Sequence, residues 1–319
     1  MAERVMVTGA AGFIGSTLCE RLLAEGAEVV GIDCLTDYYD TRIKQANAAP
    51  LRDHAKFTWI EGDLVTLDLT PLLDGVTAVY HQAAQAGVRA SWGREFSVYT
   101  HCNVEATQRL LEAAKGRGVR IVYASSSSVY GDVERVPMHE DDRPQPHSPY
   151  GVTKLAAEHL CRLYTRNFGV ETVSLRYFTV FGARQRPDMA MHRWIHACLT
   201  GGRIELFGDG SQRRDFTHVD DIVEANLLAA RRGQPGAVYN VGGGNQVDMA
   251  TLIETIVRLT GNRATIDRQP KAHGDVRQTL ADIGAAKRDL GFAPKVGLEA
   301  GLRNEIAWLE RWIQASPAR

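Results

Sequence analysis

The stretch VMVTGAAGFIGSTLCERLL, residues 5–23, passes from a short apolar run through three glycines into a helical pattern. Gly9, Gly12 and Gly15 recur every third residue where a first strand meets a first helix. The first glycine permits a tight turn, the second lets a pyrophosphate approach the backbone, and the third lets helix and strand pack closely. Phe13 and Ile14, set between these glycines, belong to the same expected cofactor loop. A glycine turn by itself is common, so the decisive partner is downstream. The second apolar run, EVVGID, ends on Asp33, eighteen residues after Gly15, where a carboxylate accepts hydrogen bonds from an adenosine ribose. A 2′-phosphate there would meet negative charge, which points to NAD rather than NADP. Asp63, in EGDL after the third run, is assigned to the adenine, with Leu64 beside it. Ala83, in HQAAQAGVR (81–89), lies where small residues let the cofactor rest against the backbone.

The runs RVMVTG, EVVGID, KFTWIEGD, AVYHQAA, RIVYASS and ETVSLRYF alternate with helical stretches at 13–25, 95–115 and 150–168. That alternation means βαβ units on a parallel sheet. The expected fold is α/β: a Rossmann-type doubly wound parallel sheet with a smaller C-terminal α/β substrate-binding lobe. Residues 1–176 form the expected NAD-binding domain and 177–319 the second, with helices near 189–200, 220–231, 248–260 and 298–314. AVYNVGG, 237–243, reads as a strand that returns to the first domain.

At 319 residues, 44% hydrophobic and 24% charged, the chain can bury a large core. Its 37 Lys and Arg balance 38 Asp and Glu, so no overall field draws it to nucleic acid or membrane. No run of eighteen apolar residues occurs and the first glycine loop follows the N-terminus at once, which gives a cytoplasmic expectation. Five scattered cysteines without a CxxC suggest neither disulfides nor zinc. His192 and His196 have i, i+4 spacing but no third ligand, so HRWIH is read as a surface helix and no metal is expected. The acid run HEDD, 139–142, is read as solvated.

Tyr150 and Lys154, in SPYGVTKLAAEHL, stand four apart and share a helix face. A phenol with pKa near ~10 is a poor base at neutral pH. A neighbouring ammonium and a nicotinamide cation both favour the phenolate. The pair can then remove a sugar hydroxyl proton while hydride leaves for NAD.

With these motifs in place, the chain resembles the extended short-chain dehydrogenase/reductase family, specifically its nucleotide-sugar epimerases and dehydratases. TGAAGFIG, Asp33, SSSSVYG, Tyr150 with Lys154, RYFTVFG, RRDFTHVDD and YNVGGG occur in the family's order over nearly the whole length. The resemblance places the catalytic hydroxyl on Ser126, with Ser127 as the one-residue alternative. Relatives that dehydrate resemble TDEVYG at 126–131 and those that decarboxylate resemble TSEVYG; both carry a Glu where this chain has Ser128. Elimination needs a base for the C5 proton and an acid for the leaving hydroxyl, and serine supplies neither well. What remains is C4 epimerisation.

GIDCLTDYYD and YFTVFGARQRPDMAMHRW are most similar to the UDP-glucuronate 4-epimerases, with Cys34 and Thr36 in place of asparagines and GARQ in place of a GPWG-type loop. A 4-keto uronate is a β-keto acid that loses carbon dioxide when its carboxylate bond aligns with the carbonyl. Ser127, Ser128 and Thr179 are short neutral donors suited to holding the carboxylate out of that alignment. The negative charges of a UDP-uronate call for arginines. The resemblance puts Arg214 at the diphosphate, Arg186 on the nucleotide side and Arg89 nearer the sugar. It also puts Phe207 against the uracil and Asp275 at the nucleotide. Two other readings stand beside this one: a UDP-glucose or UDP-N-acetylhexosamine 4-epimerase, and a non-catalytic NAD-binding sensor or scaffold. The resemblance further implies a homodimer formed through the helices at 95–115 and 150–168.

Overall fold

A computed structural model describes residues 3–132, 135–270 and 276–315. The apolar runs of the first half become β1 (Arg4–Thr8), β2 (Glu28–Asp33), β3 (Phe57–Glu61), β4 (Ala78–His81), β5 (Arg120–Ser126) and β6 (Thr172–Tyr177). The later strands are β7 (Thr179–Phe181), β8 (Arg203–Phe207), β9 (Arg213–His218), β10 (Val238–Val241), β11 (Gln246–Asp248) and β12 (Thr265–Gln269). Seven of them form one sheet in the order β10-β6-β5-β4-β1-β2-β3, and every pairing in it is parallel. β5 and β6 are buried almost end to end, which is why they read as continuous apolar runs rather than as alternating patterns.

Successive side chains alternate between the two faces. Val5 and Val7 join the core under α1 (Phe13–Ala24), while Met6 joins the core on the opposite face. Next in the chain come α2 (Thr41–Arg52), α3 (Phe96–Tyr99), a wide-turn segment at Thr100–Glu105, α4 (Ala106–Ala114) and α5 (Pro149–Phe168). They are followed by α6 (Ala190–Thr200), α7 (Val219–Arg232), α8 (Met249–Thr260) and α9 (Leu298–Ala315). A third core joins α6, α8 and α9 through Trp194, Ile253 and Leu302. The sequence reading contained no α2: Pro50 lies inside it, and its first turn is secured instead by the Asp40 side chain accepting from Arg42 N–H.

Two local devices place the chemistry. The strand order reverses between β1 and β4, which opens a crevice at their C-terminal ends. Ser148 caps α5 by accepting from Gly151 N–H at 3.1 Å, and Pro149 occupies the first turn, so Tyr150 begins the helix and Lys154 lies one turn along.

His81, at the end of β4, is buried between Thr8 Oγ1 (2.7 Å) and Thr107 Oγ1 (3.0 Å). Burial, with the charge of Lys154 added, lowers its pKa to about 3. The unfolded chain therefore binds a proton near pH 6.5 that the folded chain refuses until about pH 3, so stability is complete above 6.5 and falls as pH drops through that window. His81→Gln is expected to lose about 1.4 kcal/mol less stability per pH unit between pH 6 and 4. Urea unfolding at several pH values checks this; parallel slopes for both proteins would contradict it.

Candidate active site

The C-terminal ends of the central strands open onto two adjoining cavities, of about 200 Å³ and about 590 Å³. The smaller is built on the glycine turn. Gly9 has φ +71°, and a Cβ there would stand 2.8 Å from Ala83 N; a Cβ on Gly15 would stand 2.0 Å from Gly9 O. No larger residue fits either place. Gly12 caps α1 without a side chain, so the helix N-terminus keeps its N–H groups for an anion. Asp33 closes β2, and its carboxylate is fixed by Ala11 N–H (3.0 Å) and Leu35 N–H (2.8 Å). Asp63 accepts from Val65 N–H at 2.8 Å and meets His101 Nε2 at 2.7 Å. Burial works upward on Asp63, but the bonds from His101 and Val65 outweigh it and hold the carboxyl below its ordinary range.

Every residue expected at the cofactor lines this cavity: Gly9, Gly12, Phe13, Ile14, Gly15, Asp33, Asp63, Leu64, Ala83, Tyr150 and Lys154. A cradle that a Cβ would fill, an uncapped helix N-terminus and a fixed carboxylate at the next strand end together suit a dinucleotide. Cys34 and Cys102 stand in the same wall, so these two thiols are not core packing, whereas Cys19, Cys161 and Cys198 are buried.

Tyr150 lies at the junction of the two cavities. Burial raises its phenol pKa, while a hydrogen bond with Ser126 and the charge of Arg186 pull it back. Tyr99 packs edge-on against the Tyr150 ring, 6.2 Å between centres, and its own hydroxyl is held by the carbonyls of Ala86 and Gly87. The Lys154 ammonium is buried 4.5 Å from the centre of the Tyr123 ring. Burial brings it down to about 7, against the opposing pull of Cys161 and Glu158. Asn103 ties the loop after β4 to α5: it accepts from Gln85 N–H (2.8 Å) and donates to Gln85 O (3.0 Å) and Thr153 Oγ1 (3.0 Å).

Ser126, Ser127, Ser128 and Thr179 line the larger cavity, with Ser126 Oγ accepting from Ser128 N–H at 3.1 Å. Arg186 also stands at the junction, gripping Asp188 through two bonds of 2.9 and 3.0 Å. The Arg89 guanidinium lies 3.9 Å from the centre of the Phe207 ring, and Arg214 reaches the same cavity from β9. The expectation had Arg186 on the nucleotide side and Arg89 nearer the sugar; in the structure Arg186 neighbours Tyr150 and Arg89 neighbours Phe207. Asp275 lies outside the described residues.

Two other readings need correction. His192 is buried, with Nδ1 2.8 Å from Gln185 O, so α6 is not a surface helix at that point. Glu140 of the acid run accepts from Asn240 N–H at 2.7 Å rather than facing water. Among the described residues no three His, Cys, Asp or Glu side chains are grouped to hold a metal ion, and no helix is long and apolar enough to cross a membrane. Tyr99, His101 and Asn103 were missed because FSVYTHCNVE carries no motif; only the fold brings them to the crevice.

A family model described as the NAD dependent epimerase/dehydratase family matches residues 5–242. The chain belongs to this family. It is 38% identical over 315 residues to a UDP-glucuronate 4-epimerase of Thermodesulfobacterium geofontis, covering 97% of each chain. A Bacillus subtilis protein named an uncharacterized UDP-glucose epimerase is 43% identical over 316 residues, covering 98% of this chain and 99% of that one. The crystal structure of UDP-glucuronic acid 4-epimerase from Bacillus cereus, in complex with UDP-glucuronic acid and NAD, matches with a TM-score of 0.94 and 42% identity over 97% of this chain and 99% of that one.

Proposed function

We propose that the protein interconverts UDP-glucuronate and UDP-galacturonate by epimerising C4, with NAD bound throughout. One observation carries the reading. Where a sugar's C4–C6 edge would meet Tyr150, the larger cavity offers the hydroxyls of Ser126, Ser127, Ser128 and Thr179, and its two carboxylates are already taken. Asp188 is paired with Arg186, and Glu205 with Arg193. Among the described residues that line this cavity, no carboxylate is left unpaired to push a ketone onward by elimination.

Bound NAD supplies the acceptor for the hydride leaving C4 and the donor for its return. Gly9, Gly12, Phe13, Ile14, Gly15, Leu64 and Ala83 would hold it, with Asp33 at the adenosine ribose and Asp63 at the adenine. Tyr150 takes the C4 hydroxyl proton as the carbonyl forms and gives it back when the opposite face is reduced. Ser126 hydrogen-bonds the reacting oxygen and Tyr150. Lys154, charged, holds the site positive so that the phenolate is favoured. Ser127, Ser128 and Thr179 hold the carboxylate out of line with the C4 carbonyl, which suppresses loss of carbon dioxide. Arg186, Arg89 and Arg214 offset the substrate's negative charge, and Phe207 lies against the base.

In this reading residues 1–176, joined by β10, carry the cofactor, and the remainder of 177–319 carries the nucleotide sugar. The protein works as a homodimer through α3, α4 and α5. Val152 and Leu163 support this: they are 48% and 53% exposed, eleven residues apart, and so lie on one stripe of α5. Five free cysteines fit a cytoplasmic setting, where thiols stay reduced. A neutral-sugar substrate would use the same Tyr150 and Lys154, so the assay compares UDP-glucuronate with UDP-glucose and UDP-N-acetylglucosamine.

UDP-glucuronate is expected to turn over fastest; a clear preference for a neutral sugar would remove the substrate assignment. Tyr150→Phe is expected to lose at least ~100-fold in turnover, the scale of a general acid–base group, while keeping NAD. Near-normal turnover in that variant would refute the assigned base. Sedimentation of the purified protein should give a two-protomer species; a monomer would contradict the assembly.

A further inference from the structure

One helical turn beyond Lys154, Glu158 is buried at 1% exposure, where carboxylates are seldom found unless paired. Its Oε2 accepts from Ser125 Oγ at 2.8 Å and from Arg176 Nε at 3.0 Å; its Oε1 accepts from Arg176 Nη2 at 2.6 Å. Arg176 is itself 4% exposed and also donates to the Tyr130 hydroxyl at 2.8 Å, which donates in turn to Asn240 Oδ1 at 2.7 Å. Ser125 and Arg176 face each other across β5 and β6. Glu158 therefore reaches down from α5 and grips both sides of one rung of the sheet. The next residue along β5 is Ser126, which lines the larger cavity together with Tyr150.

A buried ion pair is weak evidence for stability, because the loss of water offsets most of the attraction and apolar replacements are often as stable. A pair kept at this place calls for another use. We propose that the Glu158–Arg176 pair is a positioning device: it registers α5, bearing Tyr150 and Lys154, against the end of β5, bearing Ser126, and keeps a negative charge one turn from the Lys154 ammonium. The inference rests on the reading that Tyr150, Lys154 and Ser126 carry the reaction. Glu158 lines neither cavity, whereas Ser125, which it holds, lines both, so it acts through Ser125 and those three.

The groups that face Lys154 are the Tyr123 ring from β5, His81 from β4, and Cys161 and Glu158 from α5 itself. His81 is neutral above about pH 3 and Cys161 is pushed up to about 12, so at working pH Glu158 is the negative charge among them. Its removal shifts Lys154 toward the neutral amine. Activity that needs the ammonium is then lost at lower pH than in the parent protein.

Glu158→Gln alone leaves Arg176 buried without a counter-charge, so the test uses two gentler variants of the full chain. Glu158→Gln/Arg176→Met removes both charges together, and Ser125→Ala removes one bond while leaving the pair intact. Acid-extracted NAD and thermal melting are measured beside the pH profile of kcat on UDP-glucuronate. The double variant is expected to keep its NAD, to turn over at least ~10-fold more slowly, the scale of a modest misplacement of reacting groups, and to lose activity at least one pH unit earlier on the alkaline side. Ser125→Ala is expected to slow turnover by about 5-fold with the alkaline limb unmoved. Parent-like kcat and pH profiles in a folded, NAD-loaded double variant would overturn the proposal; if that variant does not fold, parent-like turnover in Ser125→Ala overturns it. An inactive parent protein, or a Tyr150→Phe variant with normal turnover, would instead indict the reaction assigned to the site.

Discussion

An ammonium taken out of water is disfavoured by several kcal/mol, and Lys154 is only 2% exposed. Much of the crevice is arranged around that constraint. The Tyr123 ring offers its face to the charge, and Glu158 supplies the compensating carboxylate one turn away. With burial pushing it down and Cys161 and Glu158 pulling it back, the lysine comes to about 7, so small changes in its surroundings decide its charge. The nearby phenol is under the same pressure, and Ser126 and Arg186 relieve it. A doubly wound sheet provides what such a pair needs: a crevice at the strand ends, walled on one side by a helix N-terminus and on the other by a second lobe.

The direction of the chemistry is set by what the side chains do not offer. A ketone with a hydroxyl on its β-carbon is poised for elimination, and a ketone β to a carboxylate is poised to lose carbon dioxide. Either course is helped by a free carboxylate in the right place. Here the position before Val129 is Ser128, and Asp188 and Glu205 are both paired with arginines. In the proposed reaction the oxidised sugar has one productive exit, return of the hydride after the sugar turns over. The Gly182–Asp188 loop contributes to the same end: Arg184, at φ +70°, pairs with Glu20 of α1 at 2.6 Å, and Glu305 of α9 accepts from Gly182 N–H at 2.9 Å. That loop carries Arg186, so the cation beside Tyr150 is anchored from both lobes.

The parallel sheet was legible because strands buried on both faces read as apolar runs, and the glycine turn was legible because backbone approach leaves no alternative to glycine. The residues assigned to the cofactor line the smaller cavity for the same reason: they sit at fixed offsets from strand ends. α2 was missed because Pro50 and a run of polar residues hide its period, while its cap at Asp40 lies in a stretch of acids and tyrosines. Glu158 and Arg176 look like ordinary solvated charges in the sequence, since nothing local shows that α5 lies flat on β5 and β6. Arg89 and Arg186 changed neighbours relative to expectation because long side chains leave their loops in directions set by tertiary contacts, here Phe207 and Asp188.

The central claim is that hydrogen leaves C4 and comes back to it while C5 is left alone. Proton NMR of UDP-glucuronate incubated with the protein in D₂O addresses this directly. The account predicts UDP-galacturonate in which C4 and C5 both retain protium, with no pentose product building up alongside. Deuterium at C5, deuterium at C4, or a decarboxylated sugar as the main product would contradict it.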